Sequence, residues 1–188
     1  MKDEHAERTG EVLDELLVLR IRQGSRNAFE ALVERWQERL WRHARRLTGN
    51  DEAAWDVVQE SWAAVAKGLQ GLRDPGAFRS WIYTIATRAA TNRLRRLRPE
   101  HPSPSEALDE HPAPEFTDDL ERGEAVLLLR RAIARLPRES QVLIQLFYVE
   151  ELSVRELARV LDVPVGTVKS RLHQARTKLK EILERTPS

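Results

Sequence analysis

The stretch Ser153-Val154-Arg155-Glu156-Leu157-Ala158-Arg159-Val160-Leu161-Asp162-Val163-Pro164-Val165-Gly166-Thr167-Val168-Lys169-Ser170-Arg171-Leu172 reads as two short helices joined by a tight turn. Ser153 can cap the first helix, and Glu156 follows at the spacing of a capping box. Leu157, Ala158 and Leu161 give that helix one apolar face. Asp162-Val163-Pro164 breaks it, because proline lacks an N–H and disfavours helix in the residue before it. Pro164 is well suited to open the next helix near its first position. From there Val168, Leu172, Ala175, Leu179 and Ile182 recur every three or four residues and share a face. The other faces carry Thr167, Lys169, Ser170, Arg171, His173, Gln174, Arg176, Lys178 and Lys180. From Pro164 to Lys180 there are five lysines and arginines and no acid. A short turn followed by a one-sidedly basic helix is the shape that enters a DNA major groove. A helical hairpin with a solvated basic face is the plainer reading, but it does not account for capping box, turn, proline start and charge together.

Outward from this stretch, charge is segregated along the 188 residues although the net charge is only +1. Residues 1–19 hold two bases and six acids. Residues 73–98 hold seven arginines and one aspartate, residues 99–124 one arginine and nine acids, and residues 125–188 twelve bases and seven acids. Two basic regions flanking an acidic one suggest two contacts with a polyanion and a connector that avoids or imitates it. No apolar run reaches the length of a membrane span, and the charged N-terminus lacks a signal-peptide core, so no membrane insertion is expected. The simplest compartment is the cytoplasm. The absence of cysteine excludes a disulfide framework and thiolate chemistry.

An all-α chain is expected, in two small helical bundles joined by a flexible, acidic, proline-rich linker. A first helix is predicted over 11–23, with Val12, Leu13, Leu16, Leu17 and Leu19 apolar. A second runs from about Asn27, with Phe29, Leu32, Val33, Trp36, Leu40, Ala44 and Leu47 in helical period. Thr48-Gly49-Asn50 ends it, and Asp51 can cap a third helix to about Lys67. A loop over 68–76 leads to a fourth helix from about Ala77 to Leu97. The four helices could bury four or five of the tryptophans in one bundle.

The fourth helix is crowded by Arg79, Arg88, Arg93, Arg95, Arg96 and Arg98, with Trp81, Tyr83 and Asn92 among them. Arginines beside aromatics suit phosphate contact and stacking on unpaired bases; Trp81 reads better as core. Residues 99–119 hold five of the nine prolines and cannot bury enough surface to offset ordering. As extended chain at about 3.1 Å per residue they would span several tens of Å. His101 and His111, ten residues apart there, make a poor metal site. Helix returns over 120–136, and Pro137 opens another carrying Val142, Leu143, Leu146 and Phe147. No phosphate loop, nucleophile elbow or zinc motif is present. No catalytic residue, metal or cofactor is expected.

Three groups of residues carry a family resemblance. Leu136-Pro137-Arg138-Glu139-Ser140-Gln141-Val142-Leu143, with Leu152 to Leu161 and Val163-Pro164-Val165-Gly166-Thr167-Val168-Lys169-Ser170-Arg171-Leu172, resembles region 4 of extracytoplasmic-function sigma factors. Ala54-Trp55-Asp56-Val57-Val58-Gln59-Glu60-Ser61-Trp62 resembles their region 2.2. Phe78 to Arg96 resembles regions 2.3 and 2.4. The likeness spans about residues 25–97 and 124–184.

The resemblance implies a bacterial transcription initiation subunit, not an enzyme. It would bind core RNA polymerase through clamp helices and flap of the two large subunits, and promoter DNA as duplex and single strand. Asp56, Gln59 and Glu60 match the polymerase-binding positions. Lys169, Ser170, Arg171, His173 and Gln174 are candidates for −35 base edges, and Gly166, Thr167, Arg176 and Lys178 for its phosphates. Arg79, Tyr83, Arg88, Asn92, Arg93, Arg95 and Arg96 are candidates for the −10 element. An anti-sigma partner is common in the family. The implied layout is 1–24 as an acidic helix leading in, 25–98 as region 2, 99–119 as linker and 120–188 as region 4. Trp55, Arg88, Asn92 and Gln174 depart from the family's usual residues, which leaves open which bases are read.

Other readings are a helix-turn-helix regulator that never joins polymerase, a nucleic-acid enzyme and an adaptor for acidic proteins. The regulator has no use for Asp56, Gln59 and Glu60. The enzyme would need an acid/base or metal cluster. The adaptor would lack the salt slope of phosphate contacts, roughly −4 to −5 for about five cations.

Overall fold

The structure, a computed structural model, describes residues 2–97 and 123–185. These residues form helices and turns only, in two units that divide at Leu97 and Arg98. The linker expected over 99–119, Leu120 and the three C-terminal residues lie outside the described residues.

In the first unit, α1 is Lys2–Arg22, α2 Arg26–Thr48, α3 Asp51–Gly68 and α4 Phe78–Leu97. Local chemistry sets these limits. The Ser25 hydroxyl accepts the Ala28 N–H at 3.3 Å and starts α2. Gly49 ends it at φ 72°, donating its N–H to the Arg45 carbonyl at 2.9 Å, a conformation glycine adopts without a Cβ clash. Asn50, not Asp51, caps α3, accepting the Ala53 N–H at 2.9 Å. Asp51 is the first helical residue, and its carboxylate is drawn to Arg45. Asp74 accepts the Gly76 N–H at 3.0 Å and fixes the proline-led turn that feeds α4.

α2 lies at the middle of this unit and buries Ala28, Leu32, Trp36, Leu40, Ala44 and Leu47. α3 presents Ala54, Val57, Val58, Ser61 and Val65, and α4 Phe78, Ile82, Tyr83, Ala86, Ala89 and Ala90. Trp36 meets Phe78 and Tyr83 edge-on, with centroids 5.6 and 5.7 Å apart. Each such pair adds about 0.5–1.5 kcal/mol beyond area burial. His43 is fully buried and meets the Thr87 hydroxyl at 3.0 Å. Of the tryptophans, Trp36 alone is fully inside. Trp41, Trp62 and Trp81 are half-buried, and Trp55 is exposed. The bundle therefore buries fewer than the four or five expected.

α1 begins at Lys2 rather than near residue 11, and it is rotated from the expected setting. Val12, Leu13, Leu16 and Leu19 face solvent, while Asp14 and Val18 are buried. Polar ties choose this rotation. Asp14 accepts from Arg35 Nε at 2.6 Å, Glu11 meets Arg79 at 3.5 Å, and Arg22 donates to the Leu72 carbonyl. A Cβ on Gly10 would lie 2.5 Å from Arg35 Nη2, so the glycine leaves room for that arginine.

In the second unit, α5 is Glu124–Ala134 and α6 Arg138–Ile144. α6 runs on into a π turn, Gln145–Val149, and is followed by α7 Val154–Leu161 and α8 Val165–Glu184. Gln141 Nε2 donates to the carbonyls of Ala134 and Leu136 at 3.0 and 2.8 Å, tying the end of α5 to α6. The capping box forms in full. The Glu156 N–H donates to Ser153 Oγ at 3.3 Å, and the Ser153 N–H to Glu156 Oε2 at 2.8 Å. Asp162 closes α7 in the left-handed region at φ 55°, where a short polar side chain is tolerated. Leu157 and Val160 carry the buried face of α7; Ala158 and Leu161 are half-buried. Val168, Leu172 and Ala175 hold α8 against the rest, and Leu136, Ile144 and Ala175 form one cluster with Ile133, Leu179 and Ile182 around it.

Candidate nucleic-acid and polymerase interfaces

With Val168, Leu172 and Ala175 inward, the helical period turns Gly166, Ser170, His173 and Gln174 to the opposite crest. Lys169, Arg176 and Lys180 line one flank of that crest, and Thr167, Arg171 and Lys178 the other. All are exposed except Thr167, which is half-buried. A polar crest between two cationic flanks can offer donors and acceptors to base edges while charge meets the phosphates on either side. Of the base-edge candidates, Lys169 and Arg171 lie on the flanks rather than the crest, and Arg171 is turned toward Glu139 of α6 at 3.8 Å. The Ser170 hydroxyl donates back to the Thr167 carbonyl at 3.0 Å, leaving its acceptor side free.

Arg176 is held in a way the sequence did not reveal. Its Nε donates to the Tyr148 hydroxyl at 2.6 Å, and its guanidinium lies 5.5 Å from the ring centroids of both Phe147 and Tyr148. The π turn delivers both rings to one side of α8. Two consecutive aromatics at the end of a helix were the available signal.

The −10 candidates divide. Arg88, Asn92, Arg95 and Arg96 are exposed on the side of α4 away from the core. Tyr83 is not on that surface. It is 2% exposed, between Trp36 and His43, so it has no face to offer a base. Arg79 is 13% exposed and paired with Glu11 of α1. Arg93 reaches sideways to Asp56 of α3 at 2.6 Å. Trp81, expected in the core, is half-buried against Gly68, where a glycine Cβ would sit 3.0 Å from its ring.

On α3, Val57 and Val58 face inward and Gln59 and Glu60 outward, with the Asp56 carboxylate 45% exposed. The three polymerase-binding candidates thus share one side of one helix. Among the described residues, no group of three or more His, Asp or Glu is placed to hold a metal, and no helix is long and apolar enough to cross a membrane.

Comparison with known proteins bears on both units. The family model for sigma-70 region 2 matches residues 32–100, and that for sigma-70 region 4 matches residues 127–179. The ECF RNA polymerase sigma factor SigM of Mycobacterium tuberculosis is 34% identical over 160 residues, covering 85% of this chain and 79% of the relative. The ECF RNA polymerase sigma-E factor of Salmonella typhimurium is 33% identical over 180 residues, covering 88% and 92%. Among solved structures, CnrH in complex with the cytosolic domain of CnrY matches with a TM-score of 0.69 at 25% identity, covering 93% of this chain and 99% of that one. The sigma factor RpoE of Bartonella quintana, solved with the anti-sigma factor NepR, shares the fold at a TM-score of 0.63 and 18% identity, over 85% and 98% of the two chains.

The chain belongs to the sigma-70 family. Its place within that family is the extracytoplasmic-function group of RNA polymerase sigma factors.

Proposed function

We propose that this chain joins core RNA polymerase in the cytoplasm and directs it to promoters, with α8 reading the −35 duplex and the exposed face of α4 capturing the −10 strand. The observation that carries this reading is the pairing of surfaces within the first unit. One helix offers Asp56, Gln59 and Glu60, and the next offers Arg88, Asn92, Arg95 and Arg96. A regulator working alone on duplex DNA has a use for neither.

Residues 25–98 would serve as region 2 and 120–188 as region 4, with 1–24 leading in and the acids of 99–119 imitating nucleic acid in the polymerase cleft. Strand opening would follow from holding an unpaired base, whose unstacking costs a few kcal/mol. No catalytic step, metal or cofactor is needed from the chain itself. An anti-sigma partner belongs to the proposal, supported by a fold relative that was solved with one.

The test is reconstitution of the purified chain with bacterial core polymerase on a library of promoter fragments. Initiated transcripts from a defined subset are expected. Duplex binding without association with core would overturn the proposal and leave the stand-alone regulator.

A further inference from the structure

The outward side of α1 is apolar and uncovered among the described residues. Asp14 and Val18 are buried against the bundle, and Leu17 and Ile21 are half-buried. On the opposite side Val12, Leu16 and Leu19 stand in line with Leu13 beside them, and all four are between 39% and 56% exposed. Single exposed leucines are ordinary, but a continuous apolar row on one helix marks a contact surface. The spacing of four and then three residues is that of a heptad seam, with Leu16 at a and Val12 and Leu19 at d. Thr9 and Gln23, the neighbouring a positions, are polar and bound the row. Asp14, Val18 and Ile21 fall at f, c and f, turned away from the seam, so the bundle leaves it open.

We infer that α1 is a self-association surface, through which two copies of this chain pair with their α1 helices side by side and parallel. The inference stands apart from the sigma-factor reading. Charge selects both the partner and the direction. Glu15 lies at g and Arg20 at e, on opposite flanks of the seam, and both are exposed. Neither is paired among the described residues. In a parallel pair the g residue of one helix faces the e residue of the following heptad in the other, so Glu15 of each copy meets Arg20 of its partner, twice by symmetry. A helix built for a basic or an acidic partner would carry one sign on both flanks. An antiparallel pair sets g beside g, and the next g residue, Arg22, already donates to the Leu72 carbonyl. Burial of the apolar row supplies the drive. Asp14 on Arg35 and Glu11 on Arg79 fix α1 before it pairs, which lowers the ordering cost. The row covers about two turns, roughly 10 Å of helix, so the contact belongs with small, reversible interfaces.

The test uses the full chain, first without polymerase or DNA. Sedimentation equilibrium should show a reversible monomer–dimer equilibrium across micromolar to millimolar concentration. Leu16→Glu, at an exposed site, should weaken association about tenfold or more, because it sets a charge into the seam, while melting and helix content stay as in the wild type. Glu15→Arg should weaken it roughly threefold to tenfold, since two exposed pairs turn repulsive. Adding Arg20→Glu should restore it, a rescue that a structural role of either residue would not give. The chain has no cysteine, so Val12→Cys and Gln23→Cys, each alone, report the direction. In a parallel pair like residues face each other, and both variants should form an intermolecular disulfide under mild oxidation. A wild type that stays monomeric, association unchanged in Leu16→Glu, no rescue in the charge swap, or a cross-link missing at either cysteine would overturn the inference. A monomer whose Leu16→Glu variant no longer binds core polymerase would also overturn it, and would give the row to polymerase.

Discussion

The carboxylate of Asp56 on α3 and the guanidinium of Arg93 on α4 meet at 2.6 Å, so a residue proposed to meet polymerase and a residue proposed to meet the −10 strand hold each other. Both side chains are more than a third exposed, which limits the pair's contribution to about 1 kcal/mol or less. A double-mutant cycle over Asp56→Ala and Arg93→Ala in denaturant melts should give a coupling no larger than that. Asp56→Ala should nevertheless weaken association with core at least tenfold. A parallel loss of stability and of core binding would mean that Asp56 acts only through the fold.

Tyr83 belongs to the core and is expected to behave as such. Tyr83→Ala should destabilise the first unit by about 3–5 kcal/mol, the range for emptying a buried aromatic site. Tyr83→Phe keeps the packing on Trp36 and should cost about 1 kcal/mol. Capture of a single-stranded −10 oligonucleotide by holoenzyme should be unchanged in Tyr83→Phe, whereas Arg88→Ala and Arg95→Ala should weaken it.

The seat formed by Phe147 and Tyr148 makes a graded prediction about Arg176. Arg176→Ala should weaken duplex binding across sequences and reduce the log–log salt slope by about 1. Tyr148→Phe removes the hydroxyl that accepts from Arg176 Nε but keeps the ring beneath the guanidinium. It should lower affinity by less than Arg176→Ala and leave the slope intact. Gln174→Ala, on the crest, should instead relax preference at one base pair by about 1–3 kcal/mol.

Ser153 tests the turn that sets up α8. Replacing it by alanine removes the hydroxyl that accepts the Glu156 N–H, and should cost about 1 kcal/mol in thermal or denaturant melts. DNA affinity should fall only as far as folding does, since Ser153 lies outside the crest and its flanks.

Much of the second unit was legible because its signals are local. A serine and a glutamate at capping-box spacing, an aspartate before Val163-Pro164 and a proline start are each read within a few residues. α1 was not legible in the same way. Val12-Leu13-Asp14-Glu15-Leu16-Leu17-Val18-Leu19 is apolar on nearly every side, and its rotation is chosen by Arg35 and Arg79 on helices far along the chain. Two good caps stood side by side at Asn50 and Asp51, and the pull of Arg45 on Asp51 decides between them. Within Trp81-Ile82-Tyr83-Thr84, Trp81 reads as core while the neighbouring arginines drew Tyr83 toward a nucleic-acid role, and only the placement of Trp36 shows that Tyr83 faces the core. The crest of α8 followed directly from its apolar period, while the aromatic seat of Arg176 depended on a π turn that no sequence period announces.

The most direct measurement is the affinity of core polymerase for the chain in which Asp56 and Gln59 are both alanine, read beside run-off transcription and −35 duplex binding. Loss of core association and of promoter-specific transcripts is expected, with duplex binding kept. Unchanged association and transcription would contradict this, because the outward side of α3 would then not be the surface that joins polymerase.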